Sequence, residues 1–312
     1  MTRRSFLSSA AAAGAIAAVS CSSEAPPAEV SEQATAPESS ADIAIIDIHQ
    51  HTPYSGRTAD ELVEHQLGMG IARTVLLPAG RRLGLAADAG GNEAVWALRD
   101  RYPDRFVCFA NELPDIPETR EVLEKYLKKG AIGIGEQKFP VESDSKHIEL
   151  VATIAKEYDV PVLLHFQHEA YNFHFENFHK ILEKFPTVNF IGHAQTWWGH
   201  VDKNHDPADL YPKTPVTPGG LTDRYLADYP NMYGDLSAGS GRNSITRDEE
   251  QGAQFLMRHQ DKLLFGSDCS DPVAGSEKCI GVPTLALLRK LIPDQAILRK
   301  ILHDNAKKIM DV

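Results

Sequence analysis

Apolar residues follow two rhythms along this chain. Short unbroken runs of Val, Ile, Leu and Phe alternate with stretches whose apolar positions fall three and four apart. Unbroken runs suit strands buried on both faces, and the longer spacing is that of amphipathic helices. The pattern predicts strands over 43–48, 74–77, 105–110, 131–135, 160–164, 188–191, 231–236 and 262–265. Helices are predicted between them over 60–68, 92–102, 118–129, 145–158, 172–185, 221–228 and 247–260, and two more close the chain over 283–292 and 294–310. Local signals agree at several ends. Pro78 stops the second strand, Gly130 suits a helix C-terminus and Ser145 suits an N-cap.

Eight strand–helix units in this order are the count of an α/β fold closed into a (β/α)8 TIM-like barrel. A doubly wound open sheet ordinarily carries a glycine-rich phosphate turn after its first strand. Here that position reads His49-Gln50-His51. The longest predicted loop, 195–219, follows the sixth strand and holds Trp197, Trp198, His200 and His205, the character of a lid or a substrate wall.

The segment ahead of the barrel reads differently. Arg3 and Arg4 precede an Ala-rich apolar run, which resembles a twin-arginine export signal. Ala18-Val19-Ser20-Cys21 resembles a lipobox, with Cys21 as the residue that takes a lipid anchor. Residues 22–41 are rich in Ser, Glu, Ala and Pro and hold too few large apolar groups to order themselves. The expected organisation is a signal over 1–21, a flexible linker over 22–41 and a barrel domain over 42–312. Such a protein is exported, either periplasmic or membrane-anchored as a lipoprotein.

Net charge is −11, from 32 Lys and Arg against 43 Asp and Glu. That balance opposes nucleic-acid binding, which needs clustered cations, and leaves a small-molecule substrate as the expected partner. Cysteines occur at 21, 108, 269 and 279, with no CxxC pair to make a zinc knuckle. Cys108 sits in an apolar run and reads as a small buried hydrophobe. Cys269 and Cys279 stand ten positions apart. A disulfide between them would suit an exported protein, and spacing alone leaves it open.

In a barrel the functional face lies at the C-terminal ends of the strands. The predicted strand ends are rich in polar groups: His49 and His51, Glu136, His165, His193 and Asp268. Residues two apart on a strand share a face, so His49 and His51 can converge on one ion. A lone histidine after a strand is usually just a hydrogen-bonded loop residue, and a lone Asp can be a helix cap. Imidazoles and carboxylates at the ends of five strands together are what a zinc-type hydrolytic ion requires.

At this point the chain resembles the amidohydrolase superfamily, in particular the branch called amidohydrolase family 2, over residues 45–310. The resemblance rests on His49-x-His51, His165, His193 in Phe190-Ile191-Gly192-His193, Asp268 in Phe265-Gly266-Ser267-Asp268, and the closing Ile301-Leu302-His303-Asp304-Asn305-Ala306. It implies a distorted barrel with one or two divalent ions, expected to be Zn2+, and a metal-activated water. By that likeness His49, His51, His165 and Asp268 hold the ion. Asp268 is also the general base, and His193 orients the water or polarises the substrate. Glu136 joins as a ligand or close partner, bridges two ions, or pairs with Lys138; a single ion is favoured. Lys138, His168, Gln195, Trp197 and Arg242 stand past strand ends as candidate substrate contacts. The expected activity is hydrolysis of a C–N or C–O bond of amide or lactone type. A metal-dependent decarboxylase or lyase acting on a small carboxylic acid is the alternative, and a non-catalytic binding protein the second.

Overall fold

The computed structural model describes residues 43–80 and 88–312. The expected signal with Arg3, Arg4 and Cys21, and the linker over 22–41, lie outside these residues. Eight parallel strands run in chain order: β1 Ile45–Gln50, β2 Ile71–Leu76, β3 Phe106–Cys108, β4 Ile134–Gln137, β5 Val162–His165, β6 Phe190–His193, β7 Met232–Asp235 and β8 Leu263–Leu264. They pair in the orders β1-β2-β3 and β4-β5-β6-β7-β8. A parallel bridge between Ala110 and Ile134 joins the two groups. On the other side Ile48 N donates to Phe265 O (3.1 Å) and Asp268 N to His49 O (2.9 Å), which ties β1 to the β8 segment and closes the barrel.

The core has two shells. Ile46, Ile48, Val75, Val107, Leu163, Ile191, Tyr233 and Leu264 fill the barrel with Ala306, Ile309 and Met310 of the chain's last helix. Strand residues of the opposite parity, such as Leu164, Phe190 and Met232, pack outward against the helices. Each strand is buried on both faces, which is why it appears in the sequence as an unbroken apolar run.

Three local departures from the expected pattern position the site. The β1–β2 pairing slips between Asp47 and Gln50. Ile46 and Ile48 point into the barrel. The slip then lets His49 face inward too, as an irregularity in a ladder re-aims the side chains beyond it. Between the strand expected to end at 236 and the helix expected from 247 lies a further helix, Ala238–Thr246. A Cβ at Gly241 would lie 2.4 Å from Leu236 O, so glycine lets this helix press against the end of β7. Third, the expected long loop opens with a short helix, Gln195–Gly199, whose Trp197 and Trp198 are both fully buried. Trp197 packs on Phe166 and Phe175 and fills the space beside Gly192. This corrects the expectation of Trp197 as a substrate contact: the indole belongs to the layer behind β6.

Candidate metal centre

The buried polar residues His49, His51, Glu136, His165, His193 and Asp235 gather at the C-terminal mouth of the barrel, with Asp268 beside them. Each imidazole is pinned from behind. His51 Nδ1 donates to Leu77 O (2.8 Å), and His49 Nδ1 donates to Asp235 Oδ2 (2.6 Å). Those bonds fix both tautomers, so each Nε2 carries a bare lone pair. The two Nε2 atoms face one another at 3.1 Å. Two lone pairs so placed repel unless a cation lies between them.

Two carboxylates converge on the same point. Glu136 Oε2 is 3.4 Å from His51 Nε2 and 3.7 Å from His49 Nε2. Asp268 Oδ1 is 3.6 Å and 3.7 Å from the same atoms. Ligands held about 2.1 Å from a tetrahedral ion stand about 3.4 Å apart, so this set fits a divalent cation of the zinc type. The electrostatics agree. Burial alone would push His49 down, but Asp268 and Asp235 hold it well above its ordinary value, so positive charge is favoured at this ring, as a proton on Nε2 or as a metal ion in its place. Burial pushes Glu136 up, while His165, His49 and His51 hold it well below the carboxylate range. A cage that keeps its carboxylates ionised in the barrel interior calls for positive charge.

Glu136 stands between His165 and the His49–His51 pair, and Glu136, His165 and His193 make a second group whose ligand atoms could hold an ion. His165 Nδ1 lies 2.5 Å from Glu136 Oε1, a gap that admits a proton but no metal ion. Burial pushes His165 down to about 4; Nδ1–H donates to Glu136, and Nε2 stands 3.1 Å from Gln167 Oε1, an acceptor that a bare Nε2 lone pair would oppose. Glu136 thus serves two groups, its Oε2 turned to the His49–His51 pair and its Oε1 to His165 and His193. Gly135 makes this possible. Its φ is +146°, and a Cβ there would lie 2.8 Å from Leu163 O. Only glycine lets β4 run this close to β5 while presenting Glu136 inward.

His193 Nδ1 is 3.1 Å from Ser237 Oγ and 3.2 Å from Asp235 Oδ2. Its Nε2 faces the gap between Glu136 Oε1 (3.7 Å) and Asp268 Oδ2 (3.8 Å). Asp268 adopts a left-handed backbone (φ 45°), a strained state for a residue with a side chain. Its carboxylate is the most exposed of the set, at 13%, and Oδ1 also accepts from Tyr54 Oη (2.8 Å).

Four supporting residues escaped the sequence reading. Asp235 at the end of β7 links His49 to His193, yet on the page it opens a Gly- and Ser-rich stretch. Tyr54 carries no motif. Arg57 is buried and ties the two halves of the mouth together, donating to Gln50 Oε1 (2.6 Å), His51 O (3.0 Å) and Cys269 O (2.5 Å). Asp47 accepts from Ser267 N (2.9 Å) and His49 N (3.1 Å) beneath the ligands. The inward period of the strands could have suggested Asp235, two residues beyond Tyr233.

The candidate substrate residues spread more widely. Lys138 Nζ sits 5.5 Å from the Tyr171 ring centre, and that ring stands edge-on to His165. His168 lines a cavity of about 390 Å³ with Gln167, Asn172, Phe173, Thr196 and His200. Gln195 donates to Tyr211 Oη (3.1 Å) in the loop that follows. Arg242 is exposed and lines a separate groove with residues 275–280. The structure therefore brings Lys138 and His168 to the His165 side of the centre and sets Arg242 apart from them.

Residues 46–312 match the amidohydrolase family, of the type designated amidohydrolase 2. Solved structures share the fold. An uncharacterised TIM-barrel protein from Bordetella bronchiseptica matches with a TM-score of 0.61 at 16% identity, over 85% of this chain and 97% of its own. A probable 2-pyrone-4,6-dicarboxylic acid hydrolase from Acinetobacter baumannii, solved with citric acid bound, gives 0.58 at 15% identity, over 85% and 98%. A 5-carboxyvanillate decarboxylase from Sphingomonas paucimobilis gives 0.52 at 11% identity, over 86% and 98%. At these identities the likeness is one of fold. No curated protein matches the chain.

Proposed function

The chain belongs to the amidohydrolase family, and from that premise we propose that it is a metal-dependent hydrolase cleaving a C–N or C–O bond, of amide or lactone type, in a small substrate. The observation that carries this reading is the pair of opposed Nε2 lone pairs of His49 and His51, 3.1 Å apart with both tautomers pinned and two carboxylates aimed between them. His49, His51, Glu136 and Asp268 would hold one divalent ion. When bound, such an ion supplies Lewis acidity and brings the pKa of a ligating water from about 15.7 toward about 7.

The chain's own groups do the rest. Asp268 is the partly exposed carboxylate, placed to accept a proton from the attacking water and return it to the leaving group. Tyr54 Oη donates to Oδ1 and fixes that carboxylate, while His193 Nε2 lies against Oδ2 and orients what binds there. His165 donates to Glu136 Oε1 and holds it ionised. His193, aimed at the gap between Glu136 Oε1 and Asp268 Oδ2 without belonging to the proposed ligand set, argues against a purely binding role.

Lys138, over Tyr171 beside His165, favours a second reading. An ammonium there attracts a substrate carboxylate, which suits a metal-dependent decarboxylase or lyase acting on a small carboxylic acid. The twin-arginine pattern at Arg3 and Arg4 and the lipobox at Cys21 support export, as a periplasmic protein or a lipoprotein.

A substrate screen read by product mass separates the two chemistries: hydrolysis adds water and decarboxylation loses carbon dioxide. Asp268→Asn is expected to abolish turnover while metal is retained. Near-wild-type turnover in that variant removes Asp268 as the base, and wild-type activity in metal-stripped protein removes the metal-dependent reading altogether.

A further inference from the structure

Behind the centre lies a second cluster that the proposed chemistry does not use. His65, in the last turn of helix Ala59–Gly68, meets Cys269 and Cys279, and all three are buried. Their ligand atoms lie within 4.8 Å of one another, and Cys279 Sγ is 3.4 Å from His65 Nε2. We propose that His65, Cys269 and Cys279 form a separate, structural binding site for a thiophilic cation of the zinc type.

Three observations carry it. The first is geometry: a cation about 2.3 Å from sulfur and about 2.1 Å from nitrogen sets S···N near 3.6 Å, close to the separation found. Second, the imidazole is costly as it stands. His65 Nδ1 is buried without a hydrogen-bond partner among the described residues, and the ring's polar contact runs from Nε2 to the Cys279 sulfur. A cation on Nε2 gives this nitrogen and the sulfur beside it a common partner, whereas a disulfide between the cysteines leaves Nε2 facing a sulfur that can no longer donate. Third, the three residues come from two segments, His65 from a helix and both cysteines from one irregular stretch. Residues 266–280 contain no helix or strand and are largely small and polar, with Val273 exposed at 60%. A cation there ties this stretch to helix Ala59–Gly68. Cys269 directly follows Asp268, and Arg57 already holds its carbonyl (2.5 Å), so the tie also braces the turn that carries Asp268. On binding a divalent ion, each thiol releases one proton to solvent. The two thiolates then balance the ion's charge, and a fourth position is left for a water or another donor.

The test uses the full chain, purified with its thiols reduced and titrated with Co2+ alone. The His49–His51 centre holds no sulfur, so a sulfur-to-cobalt charge-transfer absorption in the near ultraviolet reports only the cysteine site. The band is expected to saturate at one equivalent in His49→Ala, within two equivalents in the wild type, whose other centre also takes Co2+, and to vanish in Cys279→Ser. His65→Gln keeps both thiols and is expected to keep a band while weakening Co2+ affinity tenfold or more, which covers the case in which Cys279→Ser does not fold. Absence of the band in reduced wild type, its persistence in Cys279→Ser, or unchanged affinity in His65→Gln overturns the proposal. So does a chain found two hydrogens lighter across Cys269 and Cys279 that stays so under reductant, because the pair is then a disulfide.

Discussion

Asp235→Asn keeps the shape of a fully buried side chain and removes its charge. In the native site Oδ1 accepts from Ser237 N (3.0 Å), while Oδ2 accepts from His49 Nδ1 (2.6 Å). An amide offers one oxygen where the carboxylate offers two. If that oxygen stays with Ser237 N, an NH2 group faces His49 Nδ1, and donor meets donor. The imidazole relieves the clash only by moving its proton to Nε2, which closes the lone pair aimed at His51. If the oxygen turns to His49 instead, Ser237 N loses its acceptor and His193 loses the anion 3.2 Å from its Nδ1. Either way the ligand set weakens. Loss of such an outer partner lowers metal affinity by about 10- to 100-fold, or about 1.4–2.7 kcal/mol. Chelator competition on wild type and variant, with folding checked by circular dichroism, measures this directly. An affinity within about twofold of wild type in a folded variant would refute both the pinned tautomer and the argument that His49 is a ligand.

Three more outcomes are expected. Gly135→Ala places a Cβ 2.8 Å from Leu163 O at a φ of +146°; it should cost about 1–3 kcal/mol in urea unfolding and weaken metal binding with it, and unchanged values for both would mean that Gly135 does not aim Glu136. Asp223→Asn tests a pair remote from the centre. Burial pushes the Asp223 carboxyl up, but hydrogen bonds from His259 and Arg258 hold it below the usual range. Its contribution is therefore present above the unfolded value of about 3.9 and is lost as pH falls through the lower folded value. The variant should be less stable by about 1–2 kcal/mol at neutral pH, given that Arg258 is partly exposed. The two denaturation curves should converge in strong acid, and a gap that widens there reverses the sign of the reasoning. Trp197→Ala should cost about 3–5 kcal/mol as a core cavity, with Trp197→Phe leaving KM unchanged; a raised KM at native stability would return Trp197 to the pocket wall.

Much of this molecule is legible along the chain. Buried parallel strands must be apolar on both faces, so all eight stand out as runs whose cores the structure keeps. The ends were harder. β4 was expected to stop at Gly135 and β5 at Leu164, yet Glu136 and His165 lie inside the strands, because ladder bonds to neighbouring strands carry regular backbone past the last apolar residue. Helix Ala238–Thr246 was hidden for the opposite reason. Its glycines and serines have poor helix propensity, and only packing against Leu236 makes the helix worth forming.

The sequence by itself determined the barrel and the mouth at which the polar strand ends His49, His51, Glu136, His165, His193 and Asp268 collect. These follow from period and order, which are properties of the chain. It could not determine which of those groups touch. Only the closed barrel brings Asp235 under His49, sets His165 against Glu136, buries Trp197 behind β6, and sets His65 against two cysteines more than two hundred residues away. Each is a contact between segments remote in sequence. Such contacts are decided by β-ladder register and by close packing, which no local pattern of apolar and polar residues encodes.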